Sequence, residues 1–180
     1  MKTTLLQKII FFSLLIVITN GLIGFSIYIN SQKNGNTNQL VQKSEQVLKH
    51  SALIFSRIKG LEAASRGYVI TQDSVFLKPF NRATSTMLVS LDQLKFLTVN
   101  NPSQRRRVDS LSSYMQKRLD FSLQMIELRN KEGLTKAIDY VSSGIGKNYT
   151  DSIRKITDSI NEEEGLYFNN KKSQMNTIRL

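Results

Sequence analysis

Residues 40–68 read LVQKSEQVLKHSALIFSRIKGLEAASRGY, and their rhythm decides the fold. Steps of four and three pick out Leu40, Ser44, Val47, Ser51, Ile54, Ile58, Leu61, Ser65 and Tyr68. Alternating three- and four-residue steps keep one stripe of an α-helix facing a neighbour, so this stretch is the seam of a long bundle helix. Nowhere along the chain does a two-residue alternation persist, so strands are not expected.

Three more seams follow. Leu77, Phe80, Thr84, Met87, Leu91 and Leu94 form the second, and Val108, Leu111, Met115, Leu119, Ser122 and Ile126 the third. Tyr149, Ile153, Ile156, Ile160 and Tyr167 form the fourth. Breakpoints fall between them. Gln72-Asp73-Ser74 ends the first helix and caps the next, which begins at Ser74, with Pro79 near its start. Asn100-Asn101-Pro102 is a turn, because proline disfavours helix before it and suits a first helical turn. Gly133 and the Gly144-Ile145-Gly146 run bracket a short extra helical piece around Leu134–Val141. The expected fold is all-α: an antiparallel up-down-up-down four-helix bundle over residues 38–180. In that topology Arg66-Gly67-Tyr68 and the 133–146 connection share one end, and the Asn100–Arg107 hairpin lies at the other.

Ahead of the bundle, Ile9–Ile29 carries no charged side chain. A bilayer core needs about 20 apolar helical residues to cross it, so this run reads as a transmembrane helix. Lys2 and Lys8 precede it, which places residues 1–8 in the cytoplasm and the remainder outside. Residues 30–37, with Gly35 and the Asn34–Asn38 segment, read as a linker that loosens the exit. A cleaved signal peptide is the competing reading, but its apolar run is usually about 7–15 residues and ends in a small-x-small site. The exit through Phe25-Ser26-Ile27-Tyr28-Ile29 has none. The expected location is the cell's inner membrane, single pass, with the main domain periplasmic.

The chain has no cysteine, which excludes a disulfide scaffold, a lipobox and a thiolate metal site. It carries 25 Lys and Arg against 14 Asp and Glu, for a net charge of +11. Outside the membrane this excess suits anionic headgroups, envelope polymers or acidic small molecules rather than nucleic acid. Small polar residues on the seams (Ser44, Ser51, Ser65, Thr84, Ser122) and Gly60, Gly67 and Gly165 inside helices describe a soft core.

The segment Glu62-Ala-Ala-Ser-Arg-Gly-Tyr-Val-Ile-Thr-Gln-Asp73 resembles the signature of the third class of CHASE domains. The resemblance continues through Phe76-Leu77-x-Pro79-Phe80, Asn101-Pro102-x-Gln104 with Arg107 and Leu111, Arg118-Leu119, and Gly144-x-Gly146-Lys147 followed by Asp151-x-Ile153-Arg154. Gln72 stands where a glycine is usual. The resemblance implies a helical sensor module, of the kind found in histidine kinases, cyclases and chemoreceptor-like proteins, between two membrane helices and ahead of a cytoplasmic output domain. It supplies no ligand. The sequence has no second apolar run after Tyr167, and a fragment of a longer receptor is the expected explanation.

Candidate ligand or signalling residues are Glu62, Arg66, Gly67, Tyr68, Thr71 and Asp73. Glu62 and Arg66 have the favourable acid-first spacing of a helical ion pair, which is also their purely structural reading. In the functional reading Arg66 donates to an anion, Gly67 permits close approach and Tyr68 walls the pocket. Arg105, Arg106 and Arg107 sit at a helix start, where positive charge is disfavoured, and are candidates for headgroup contacts. Gly144–Lys147 lacks the rest of a phosphate-loop motif. His50 lies off the seam and is expected on the surface, and Glu162–Glu164 face no evident acid–base partner. No catalytic residue, metal or cofactor is expected. The leading reading is a sensor module, working as a homodimer with an unidentified ligand. A stand-alone tethered protein that holds lipid or wall polymer is the alternative.

Overall fold

The computed structural model describes the backbone of residues 5–178 and the side-chain surroundings of residues 7–29 and 39–170. Those residues form five α-helices and one 3-10 helix: α1 (Leu5–Thr71), the 3-10 turn Ser74–Phe76, α2 (Leu77–Leu97), α3 (Pro102–Lys131), α4 (Leu134–Ser142) and α5 (Ile145–Ile178). No strand occurs among the described residues, as the periodicity requires. The chain divides into two compact units, Met1–Gln42 and Lys43–Leu180.

In the first unit, Gln7–Ile29 is long and apolar enough to cross a membrane, with mean hydropathy 2.2 and no burial within the protein. Its polar residues bond to their own helix. Thr19 Oγ1 donates to the Ile16 carbonyl at 2.9 Å, and Asn20 Nδ2 donates to the same oxygen at 2.8 Å. Local back-bonding of this kind satisfies a polar side chain where no water is available. The backbone remains helical through residues 30–38, where a loosened exit was expected.

The second unit is the bundle. Val47, Ile54, Ile58, Leu61 and Ala64 of α1 share one core with Phe80, Met87, Leu91 and Leu94 of α2, Val108, Leu111 and Met115 of α3, and Ile153 and Ile160 of α5. Every residue of the α1 seam from Ser44 to Tyr68 is buried. Cross-helix hydrogen bonds fix the directions of α1, α3 and α5, and α2 runs back between the short turns that join it to α1 and α3. Ser44, at the start of this α1 segment, bonds Glu164 of α5, which also accepts from Gln104 near the start of α3. At the opposite end Tyr68 Oη donates to Asn130 Oδ1 at 2.6 Å, and Arg129 Nε donates to the Val69 carbonyl at 2.7 Å. The arrangement is therefore up-down-up-down. A second core cluster of Val69, Phe121, Met125 and Ala137 lies under α4.

Local chemistry sets the turns. Gln72 ends α1 in a left-handed conformation, φ 57. A side chain there costs roughly 1–2 kcal/mol, which gives a physical reason for the glycine usual at this position. The Asp73 side chain accepts from Val75 N–H and starts the 3-10 turn, so α2 proper begins at Leu77 rather than Ser74. Asn101 Oδ1 accepts from the Ser103 and Gln104 N–H groups, with Pro102 in the first turn of α3. Gly133 and Gly144 both take positive φ, at 90 and 74, and bracket α4 as expected.

Three positions differ from the periodic reading. The last helix starts at Ile145, not Tyr149, because Gly146 must lie inside it beneath Phe121. Tyr167 is 41% exposed rather than on the seam. On α3 the fully buried stripe continues through Arg118 and Met125, whereas Leu119 and Ile126 are only half-buried. Strict three-four steps from Val108 lead to position 118. Leu119, on the expected seam, lies one residue off this stripe, and an arginine takes the core position, where that residue type is rarely found.

A Cβ on Gly146 would sit 2.5 Å from the Phe121 ring. That ring cannot retreat freely, since it stacks on Tyr140 at 4.4 Å. Gly146→Ala is therefore expected to destabilise the bundle by about 1–2 kcal/mol, overpacking outweighing the helix propensity of alanine. In a Phe121→Leu background the same change is expected to be neutral or stabilising, and urea unfolding followed by circular dichroism checks both.

Candidate functional site

Glu62 is buried on α1, its side chain only 8% exposed. One oxygen meets Arg66 Nη2 at 2.8 Å and the other meets Lys59 Nζ at 3.0 Å. The predicted ion pair forms, with a second cation added one turn earlier. Arg66 itself is half exposed, and Glu62 is the partner that holds it.

The remaining members of this group build the end of the helix. Tyr68 is buried and anchored on Asn130. The space above Gly67 is occupied by the chain itself: a Cβ there would fall 2.5 Å from the Phe76 ring. Gly67 permits a close approach, as expected, but by Phe76. Thr71 Oγ1 donates to the Gly67 carbonyl at 2.8 Å and accepts from Asp73 N–H at 3.1 Å. The structure thus brings Glu62, Arg66, Gly67, Tyr68, Thr71 and Asp73 to one end of the bundle, where α1 turns into α2.

A residue passed over by the periodic reading lies deeper. Arg118 of α3 is 2% exposed. Its Nε donates to Thr150 Oγ1 of α5 at 3.1 Å, and Nη1 makes a short bond to Ser122 Oγ. The guanidinium also lies 5.6 Å from the centre of the Phe121 ring. Burial lowers the Arg118 pKa, the Glu62 carboxylate of α1 acts against that shift, and Arg66 adds to it. The charges of α1 and α3 thus act on one another across the bundle, and the Thr150 hydroxyl extends the hydrogen bonding of Arg118 to α5. The sequence signal of Arg118 was the unbroken three-four spacing.

The other end is held by acids of α5. Glu164 accepts from Ser44 Oγ of α1 at 2.8 Å and from Gln104 Nε2 of α3 at 3.1 Å. Glu163 accepts from Arg107 through a short ion pair, and from Asn101 Nδ2 at 3.2 Å. Glu163 and Glu164 thus have structural partners from α1, from α3 and from the turn before it. The three arginines separate. Arg107 is fixed by Glu163 and Ser103, whereas Arg105 and Arg106 are exposed and line different clefts.

His50 is half-buried rather than on the surface, and its Nδ1 is enclosed without a hydrogen-bond partner. Burial, with help from Lys49, lowers its pKa, so the neutral ring is the favoured form. Among the described residues no group of three His, Cys, Asp or Glu could hold a metal ion. The arrangement suits holding helices in register.

If the Glu62 carboxylate balances Arg118, Glu62→Gln is expected to destabilise the bundle by roughly 3–5 kcal/mol, the cost of leaving a buried charge uncompensated. Adding Arg118→Met is expected to recover most of that loss, because methionine fills the volume without a charge. A double-mutant cycle in urea measures the coupling, and additive losses would contradict the balance.

A comparison with curated proteins gives no match. Among solved structures, the chain is similar to the sensor domain of the Rhodopseudomonas palustris histidine kinase HK9, with TM-score 0.64 and 20% identity. The likeness covers 68% of this chain and 96% of that one, and at this identity it speaks for the fold alone. The family model of the CHASE3 domain matches residues 37–174.

Proposed function

This chain belongs to the CHASE3 domain family, and from that premise we propose that it is the extracytoplasmic sensing part of a membrane receptor of the histidine kinase type. In this reading Gln7–Ile29 crosses the inner membrane, and the bundle faces the periplasm as one half of a homodimer. A stimulus favours one of two packings of α5 against α1, and the displacement passes through the membrane to a cytoplasmic output domain. Only a stimulus that binds the two packings unequally can shift their populations.

The observation that carries the proposal is the polar character of the contacts between α1, α3 and α5. Glu164 joins all three helices through two side-chain bonds, and Arg118 joins α3 to α5 opposite Glu62. Directional bonds of this kind define discrete positions, and because they exchange with water at modest cost one set can be traded for another. The Glu62–Asp73 group lies where α1 reverses into α2, and in this reading it receives the stimulus or transmits it from Arg66.

Orientation is tested with single cysteines, which the cysteine-free chain makes unambiguous. A cysteine at Phe96, which is 74% exposed, is expected to react with a membrane-impermeant maleimide in spheroplasts, and one at Thr3 is not. The reverse labelling pattern would overturn the periplasmic placement. The relay is tested in a chimaera carrying residues 1–180, a second membrane helix and a reporter histidine kinase. Glu164→Gln weakens a charge-assisted tie and is expected to shift basal autophosphorylation by about threefold or more. Unchanged output from a folded variant would overturn relay through α1 and α5.

A further inference from the structure

We propose that the cleft between the first turns of α3 and the middle of α5 binds a phosphomonoester. This goes beyond the sensor reading, because the site has its own chemistry whether or not the chain signals. The cleft measures about 400 Å³ and is lined by three hydroxyls, Ser103, Ser110 and Ser159, and three cationic side chains, Arg106, Arg107 and Lys155. Ile156 is the single apolar residue in its wall.

The charges in the cleft are not equivalent. Arg107 is half-buried, paired with Glu163, and bonded to Ser103 Oγ at 2.8 Å, so its position is fixed. Arg106 and Lys155 are exposed, and neither forms an ion pair among the described residues. They come from different helices and face one cleft. Lys155 feels the Asp151 carboxylate one turn earlier, but that carboxylate is bonded to Lys147 and does not line the cleft, so an anion between the two cations reduces their repulsion. Asp109, the acid one turn beyond Arg106, does not neutralise them. It lines a separate cleft on the α2 side with Lys95 and Arg105.

The donor set selects the anion. A guanidinium fork engages two oxygens in one plane, and an ammonium adds a compact point charge. Ser110 and Ser159 supply hydroxyls not used in any hydrogen bond to the protein among the described residues. A carboxylate has two oxygens and is satisfied by the arginine alone. A phosphomonoester presents three terminal oxygens and up to two charges, which uses both free cations and the hydroxyls. Such a group reaches the cleft either as a soluble phosphorylated metabolite or as the headgroup of phosphatidic acid. Once bound, it ties α3 to α5 beside the Arg107–Glu163 pair.

The test uses the full chain in neutral detergent, titrated with glycerol 3-phosphate by calorimetry, with acetate as the two-oxygen control. In parallel, the melting temperature is read in phosphatidylcholine nanodiscs with and without phosphatidic acid. Arg106→Ala with Lys155→Ala is expected to weaken the response about tenfold or more, as loss of two charge-assisted contacts implies. Arg105→Ala removes the same sign of charge outside the cleft and is expected to leave the response within about twofold, since Arg105 lines the other cleft and makes no direct contact with a bound anion. A response to glycerol 3-phosphate alone supports a soluble ligand, and one to phosphatidic acid alone supports a lipid. Equal losses in both variants, or acetate binding as well as the phosphate, would overturn the site in favour of diffuse attraction. No response of the unmodified chain to either probe would also overturn it. Binding without any change in the chimaera's output would leave this site standing and count only against the relay.

Discussion

A guanidinium inside a helical bundle is the constraint to which the surrounding structure answers. Arg118 is almost fully enclosed, and a charge removed from water is tolerated only with partners arranged around it. Its hydrogen-bond partners are Thr150 on α5 and Ser122 on α3 itself, and the Glu62 carboxylate on α1 acts on it through space. Sliding α3 against α5 by one turn would leave the leucine and isoleucine layers able to repack but would separate Arg118 from Thr150. The apolar seams supply most of the stability, and the buried arginine restricts the register in which it is obtained.

The two ends of the bundle use different devices. At one end aromatic residues occupy the space left by glycines: Phe76 over Gly67, and Phe121 over Gly146 with Tyr140 stacked on it. At the other end carboxylates of α5 collect donors from α1, α3 and the turn between α2 and α3. Shape complementarity resists local rearrangement, because a ring seated on a backbone has nowhere to go. Hydrogen bonds to a carboxylate exchange with water at smaller cost. If one end of this bundle shifts in response to a stimulus, the balance of these terms favours the end held by Glu163 and Glu164.

Much of the site was legible in the chain before folding was considered. The Glu62–Arg66 pair follows from four-residue spacing, and the helix breaks follow from Asp73, Asn101, Pro102, Gly133 and Gly144. Arg118 was not legible as a core residue: its spacing fits the stripe, but arginine is a residue type rarely buried. The partners of Glu163 and Glu164 were invisible because they lie far along the chain, at Asn101, Ser103 and Gln104 some 60 positions away and at Ser44, 120 positions away. Nothing local in the acidic run distinguishes an acid facing water from one facing a turn.

The sequence by itself determined the helices, their order, their apolar faces and the membrane-length run. These depend on residue type and on periods of 3.5 to 3.6, which the chain carries locally. Tertiary structure alone decided that Gly67 receives Phe76 rather than a ligand, and that Arg118 meets Thr150. It also divided Arg105 and Arg106 between two clefts and brought Lys155 to Arg106. Each of these is a meeting of side chains from separate elements. Which ones meet depends on the rotation and register that packing assigns to whole helices, quantities that no short stretch of sequence contains.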